Sequence, residues 1–143
     1  MNPQPPTDLP CSTIAYRVIR RKTWLDPDND LRVKAEAFMR RPPKTLPAGV
    51  IDPMDEDGLS VYDSFRMNVE DCVNDTLSGH GIVSLHVGTL RDFGLTVIRD
   101  NADGRKLLIT NLPFENPNDA DEERLLDDVA ESARIIARQR WNR

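Results

Sequence analysis

Toward the end of the chain, Leu125, Val129, Ala133 and Ile136 recur at helical spacing, and Leu126, Ala130 and Ala137 widen them into one apolar stripe. A helix bearing such a stripe has to lie against another apolar surface, which commits the chain to a packed core. The charge order fits the same element. Asp119, Asp121, Glu122 and Glu123 stand at its start and Arg134, Arg138 and Arg140 at its end, the signs that the helix dipole favours at each pole. The pattern predicts one helix reaching these arginines. Truncation after Asn118 is expected to leave an insoluble or unfolded chain.

The surface against which this helix packs is legible as strands. Ile14-Ala15-Tyr16-Arg17-Val18-Ile19 is rich in β formers, and alternation groups Ile14, Tyr16 and Val18 as the buried face while turning Arg17 to the other. Leu59 to Tyr62, after the turn signal Asp57-Gly58, reads as a second strand. Phe65, Val69, Cys72, Val73 and Leu77 follow at helical spacing, up to Gly79. Three further strand-like runs, Ile82 to Val87, Leu95 to Ile98 and Leu107 to Leu112, are separated by turn residues, and the last two read as a hairpin. The stretch from Leu31 to Arg41, between the Asp26 to Asp30 turn and Pro42-Pro43, predicts a short helix. Residues 42–58 read as a long surface loop. The fold class expected is α+β, a mostly antiparallel sheet with two or three helices packed mainly on one face.

The chain has 143 residues, 38% hydrophobic and 30% charged, which suits one folded domain. That domain is placed at residues 12–143, behind a flexible Pro-rich tail at residues 1–11. A net charge of −5 argues against a surface that tracks nucleic acid or anionic lipid, although arginines cluster at Arg20-Arg21 and Arg40-Arg41. No stretch approaches the roughly 20 apolar residues of a membrane span, and no leader is evident. A cytoplasmic location is expected. Cys11 and Cys72 lie far apart with no zinc spacing, so both are expected to be reduced and no metal or cofactor is implied.

Among the residues that carry chemistry, alternation along the run Ser84-Leu85-His86 sets Ser84 and His86 on one face and Val83, Leu85 and Val87 on the other, and the pair is expected to share its face with Arg17 or Ser60. A serine two residues from a histidine is not a catalytic triad, and no nucleophile elbow is present. His80 between two glycines describes a turn, and Cys72 on an apolar helix stripe describes core. Asp26-x-Asp28-x-Asp30 opens like a calcium loop, but Leu31 and Ala37 stand where glycine and glutamate are required.

Tyr16-Arg17, Arg40-Arg41 and Gly58-Leu59-Ser60-Val61 together resemble the layout of ADP-ribosyltransferase-like folds, which implies a dinucleotide cleft lined by Arg17 and Ser60. Over residues 14–138, Tyr16-Arg17-Val18, Ala37-Phe38-Met39-Arg40-Arg41, Asp57-Gly58-Leu59-Ser60-Val61, Ser84-Leu85-His86-Val87-Gly88 and Gly94-Leu95-Thr96-Val97 resemble a group of small bacterial proteins of cyanobacterial type. That resemblance implies domain limits and no activity. Two functions are compatible with these patterns. The first is an interaction module that acts with a partner protein. The second is a small enzyme or binding protein for a nucleotide-like anion, with Arg17, Arg41, Ser60, Ser84 and His86 as the candidate ligand-binding residues.

Overall fold

The computed structural model describes residues 9–26, 32–75, 81–115, 117 and 119–138. The chain order is β1 (Ile14–Ile19), β2 (Lys44–Thr45), β3 (Ile51–Asp52), β4 (Leu59–Asp63), α1 (Val69–Asp75), β5 (Gly81–His86), α2 (Val87–Asp92), β6 (Val97–Arg99), β7 (Lys106–Ile109), α3 (Ala120–Ser132) and β8 (Arg134–Arg138). Two 3-10 turns, Lys22–Trp24 and Ala35–Phe38, come between β1 and β2. Six strands form one sheet in the order β6-β7-β4-β1-β5-β8. Every pairing in it is antiparallel. The fold is α+β, as the sequence patterns imply.

Central strands β1 and β5 pair along their whole length, and residues opposite one another share a face. Ala15↔Leu85 and Arg17↔Val83 therefore belong to one face, and Ile14↔His86, Tyr16↔Ser84 and Val18↔Ile82 to the other. The first face carries the main core. There Ala15, Ile19, Val83 and Leu85 join Leu59, Val61, Leu107 and Ile109, together with Leu126 and Val129 of α3, Leu90 of α2 and Phe38 of the second 3-10 turn. On the second face lies a smaller cluster, Val18, Tyr62 and Ile82 with Met67 and with Cys72 of α1.

Period two is thus correct for β1, but the face expected to be open is the more deeply covered one. Arg17 is 8% exposed. Two further expectations are corrected. The C-terminal helix ends at Ser132, and the chain turns at Ala133 into β8, whose Ile135 pairs with Val83. Consecutive Ile135 and Ile136 favour extended backbone, and no glycine or proline marks the break. Among the described residues 32–41 of the segment expected to be a short helix, the only helical turn is the 3-10 turn Ala35–Phe38, because Val33 and Arg40 on either side are held extended by bridges to Leu25 and Phe114. The loop at 42–58 contains the β2–β3 hairpin.

Other elements follow the sequence closely. β6 and β7 form the expected hairpin. Gly58 opens β4 at φ +147°, where a Cβ would stand 3.0 Å from the Ile109 carbonyl oxygen, so only glycine lets β4 approach β7 there. Asp119 caps α3 by accepting from the Glu122 amide at 2.8 Å. Cys11 is exposed and Cys72 buried. Residues 1–8, 77, 79 and 80 lie outside the described residues, and with them most of the Pro-rich tail and the glycine-flanked His80. Among the described residues no helix is long and apolar enough to cross a membrane.

Candidate functional site

Arg40 and Arg41 are adjacent and do different things. Extended backbone at this point sends successive side chains to opposite sides. Arg40 turns inward, where its Nε donates to the Asp55 carbonyl at 3.1 Å and its Nη1 to the Thr110 carbonyl at 2.8 Å. Nη2 donates to the Glu56 carbonyl, and the guanidinium lies 4.1 Å from the centre of the Phe114 ring. It fastens the 53–57 turn to the segment after β7. Arg41 turns outward and grips the Asp55 carboxylate bidentately, Nε to Oδ2 at 3.0 Å and Nη2 to Oδ1 at 3.1 Å. Its own amide donates to Oδ2 at 2.8 Å. Burial pushes the Asp55 carboxyl up, but these side-chain and backbone bonds from Arg41 outweigh it and hold the group below its ordinary range.

Arg17 enters the same region from β1. The β1–β4 ladder consists of Ala15↔Asp63 and Tyr16↔Tyr62. Beyond it the Arg17 side chain takes over, with Nη1 donating to the Ser60 carbonyl at 3.1 Å and Nε to the Ala37 carbonyl at 3.0 Å. Its guanidinium also stands 5.4 Å from the centre of the Trp24 ring. Nη2 has no hydrogen-bond partner among the described residues, and no carboxylate there forms an ion pair with Arg17. Burial, with Arg20 and Arg41 adding like charge and Asp55 working the other way, pushes the guanidinium down to about 10.

Arg17 and Arg41 open into one cleft of about 390 Å³, lined also by Arg20, Arg21, Trp24, Glu36, Met39, Glu115 and Pro117. Trp24 is held by its carbonyl, which accepts from the Lys34 amide at 2.7 Å, and Glu115 by its amide, which donates to the Arg40 carbonyl at 2.8 Å. Four arginines face two glutamates across the cleft. Such a surface suits an anion, because a fork of N–H donors with little competing carboxylate can bind phosphoryl or carboxylate oxygens through charge-assisted bonds.

Of the sequence candidates, Arg17 and Arg41 come together here and the other three do not. Ser60, Ser84 and His86 have their side chains on the opposite face of the sheet, set there by the Tyr16↔Tyr62 and Tyr16↔Ser84 pairings. The expectation that Ser84 and His86 share a face with Arg17 or Ser60 therefore holds for Ser60 and not for Arg17. Ser60 serves Arg17 through its main-chain carbonyl instead. His86 is exposed where β5 runs into α2. The residues missed were Arg20, Arg21, Trp24, Glu36, Met39, Glu115 and Pro117, and the signal available was the proximity of Arg17, Arg20, Arg21 and Trp24 within eight positions. No group of three or more potential metal ligands is found among the described residues.

Comparison of the chain with protein-family models, with curated proteins and with solved structures finds no match.

Proposed function

We propose that this chain is a cytoplasmic binding protein that takes an anionic ligand into the arginine cleft. One observation carries the reading: Arg17 is a buried guanidinium that forms no ion pair among the described residues, with Arg20, Arg21 and Arg41 lining the same cleft. A buried charge without a counter-ion is costly, and proteins retain one where a ligand supplies the compensation. An anion entering the cleft would meet the exposed Arg20 and Arg21 first and the unused donors of the buried Arg17 within.

Calorimetric titration of inorganic phosphate and pyrophosphate into the full chain tests this. Saturable binding that weakens at least about tenfold in Arg20→Ala/Arg21→Ala, whose two side chains are exposed and dispensable for folding, is expected. Equal binding by wild type and the double variant, or none by either, would remove the proposal.

A second reading is an interaction module whose partner protein presents an acidic segment to the same cleft. Its support is the β2–β3 hairpin, which exposes Val50 and Ile51 at 58% and 65% and is tied at its base by Arg41 and Asp55. A partner contact there would bury apolar side chains otherwise left in water. Val50→Ser/Ile51→Ser would then weaken partner capture without changing phosphate binding.

A further inference from the structure

The cleft is not uniformly cationic. Trp24, Met39 and Pro117 supply an apolar patch, the four arginines a cationic one, and Glu36 and Glu115 two acceptor groups. Neither glutamate forms an ion pair with an arginine among the described residues. A ligand that carried only negative charge would gain from the arginines and be repelled by the glutamates. One that also carries hydroxyl or amino donors can satisfy those carboxylates instead. A planar ring has a partner in Trp24, whose indole is half-buried and already polarised by the Arg17 cation. The cleft volume of about 390 Å³ lies at the small end of ligand pockets, which favours one nucleoside over two.

We infer that the cleft binds a mononucleotide, with the phosphoryl group on Arg17, Arg20 and Arg21, the base against Trp24 and the sugar hydroxyls toward Glu36 and Glu115. This rests on the anion-binding reading above and deepens it. Arg41 stays engaged with Asp55 and contributes field rather than direct contact. The interaction is binding alone; no bond in the nucleotide is made or broken.

The experiment is calorimetry on the full chain at constant ionic strength with adenosine 5′-monophosphate, ribose 5-phosphate, inorganic phosphate, adenosine and an acidic peptide. Base stacking predicts that the mononucleotide binds at least about tenfold more tightly than ribose 5-phosphate. Trp24→Leu should bring the two together, and Glu36→Gln/Glu115→Gln should shrink the preference for the mononucleotide over phosphate. Should Trp24→Leu not fold, the wild-type comparison of mononucleotide with ribose 5-phosphate decides alone. Equal affinity for the mononucleotide and inorganic phosphate would overturn the inference and leave the anion site standing. Tighter binding of the acidic peptide would also overturn it, in favour of the partner-protein reading. Binding of none of these would overturn the inference and the anion-binding reading together.

Discussion

Arg40 and Arg41 show how little residue type alone says about role. Both are arginines at the end of one short segment, yet Arg40 is 8% exposed and spends its donors on main-chain carbonyls, whereas Arg41 faces the cleft. Replacing Arg40 by alanine would leave the Asp55 carbonyl without its donor in a buried setting and the Glu56 and Thr110 carbonyls in part-buried ones, at about 1–3 kcal/mol for each one stranded away from water. Urea denaturation of Arg40→Ala should therefore show a loss of about 3 kcal/mol or more; a loss under about 1 kcal/mol would sink the assignment. Asp55 carries a pH signature. Its folded pKa lies below the ordinary 3.8, so the stability it contributes is present above that value and is lost as pH falls through the folded pKa. At neutral pH Asp55→Asn should be less stable than wild type by about 1–3 kcal/mol, and the gap should close as pH is taken below about 4. A gap that persists unchanged at pH 3 would mean that the ion pair is not its source.

Elements were legible where one periodicity runs between clear punctuation, and were misread where it does not. β4 and the β6–β7 hairpin follow Asp57-Gly58 and the Asn101 to Gly104 turn, and the structure has them there. At the C-terminus the helical stripe of α3 runs into β8 without interruption, because Ala133 carries no conformational marker and Ile136 happens to continue the spacing. Only the pairing with β5, a long-range contact, decides that the backbone turns extended. Of the stripe residues that are helical, Leu126, Val129 and Ala130 are buried and Leu125 is partly buried against the core, so the energetic argument holds for them. Leu126→Ala should cost about 2–5 kcal/mol, through lost transfer energy and the cavity left behind. Asp119→Ala should cost about 1 kcal/mol through loss of the cap alone. Thermal unfolding of the two variants checks the ranking; equal destabilisation would contradict it.

At the scale of the whole molecule, the six-stranded sheet decides which polar residues can meet, and this was the part of the site hidden from the sequence. Alternation correctly paired Ser84 with His86, but it could not say that α3, α2 and a 3-10 turn cover the Arg17 face while α1 covers the other. An arginine between Tyr16 and Val18 reads as solvated, since the carbonyls of Ala37 and Ser60 that accept its N–H groups come from positions 20 and 43 residues away. On the proposed anion-binding reading, global stability depends on anions. The folded state holds Arg17 buried with like charges around it, whereas the unfolded chain solvates it freely, so a bound anion stabilises only the folded form. At about ten times its Kd a ligand adds about 1.4 kcal/mol, which for a chain of this size raises Tm by roughly 4 °C. Phosphate should produce that rise over chloride at equal ionic strength, and Arg20→Ala/Arg21→Ala should reduce it. Matched rises in phosphate and chloride would show that screening, not occupancy of the cleft, accounts for the effect.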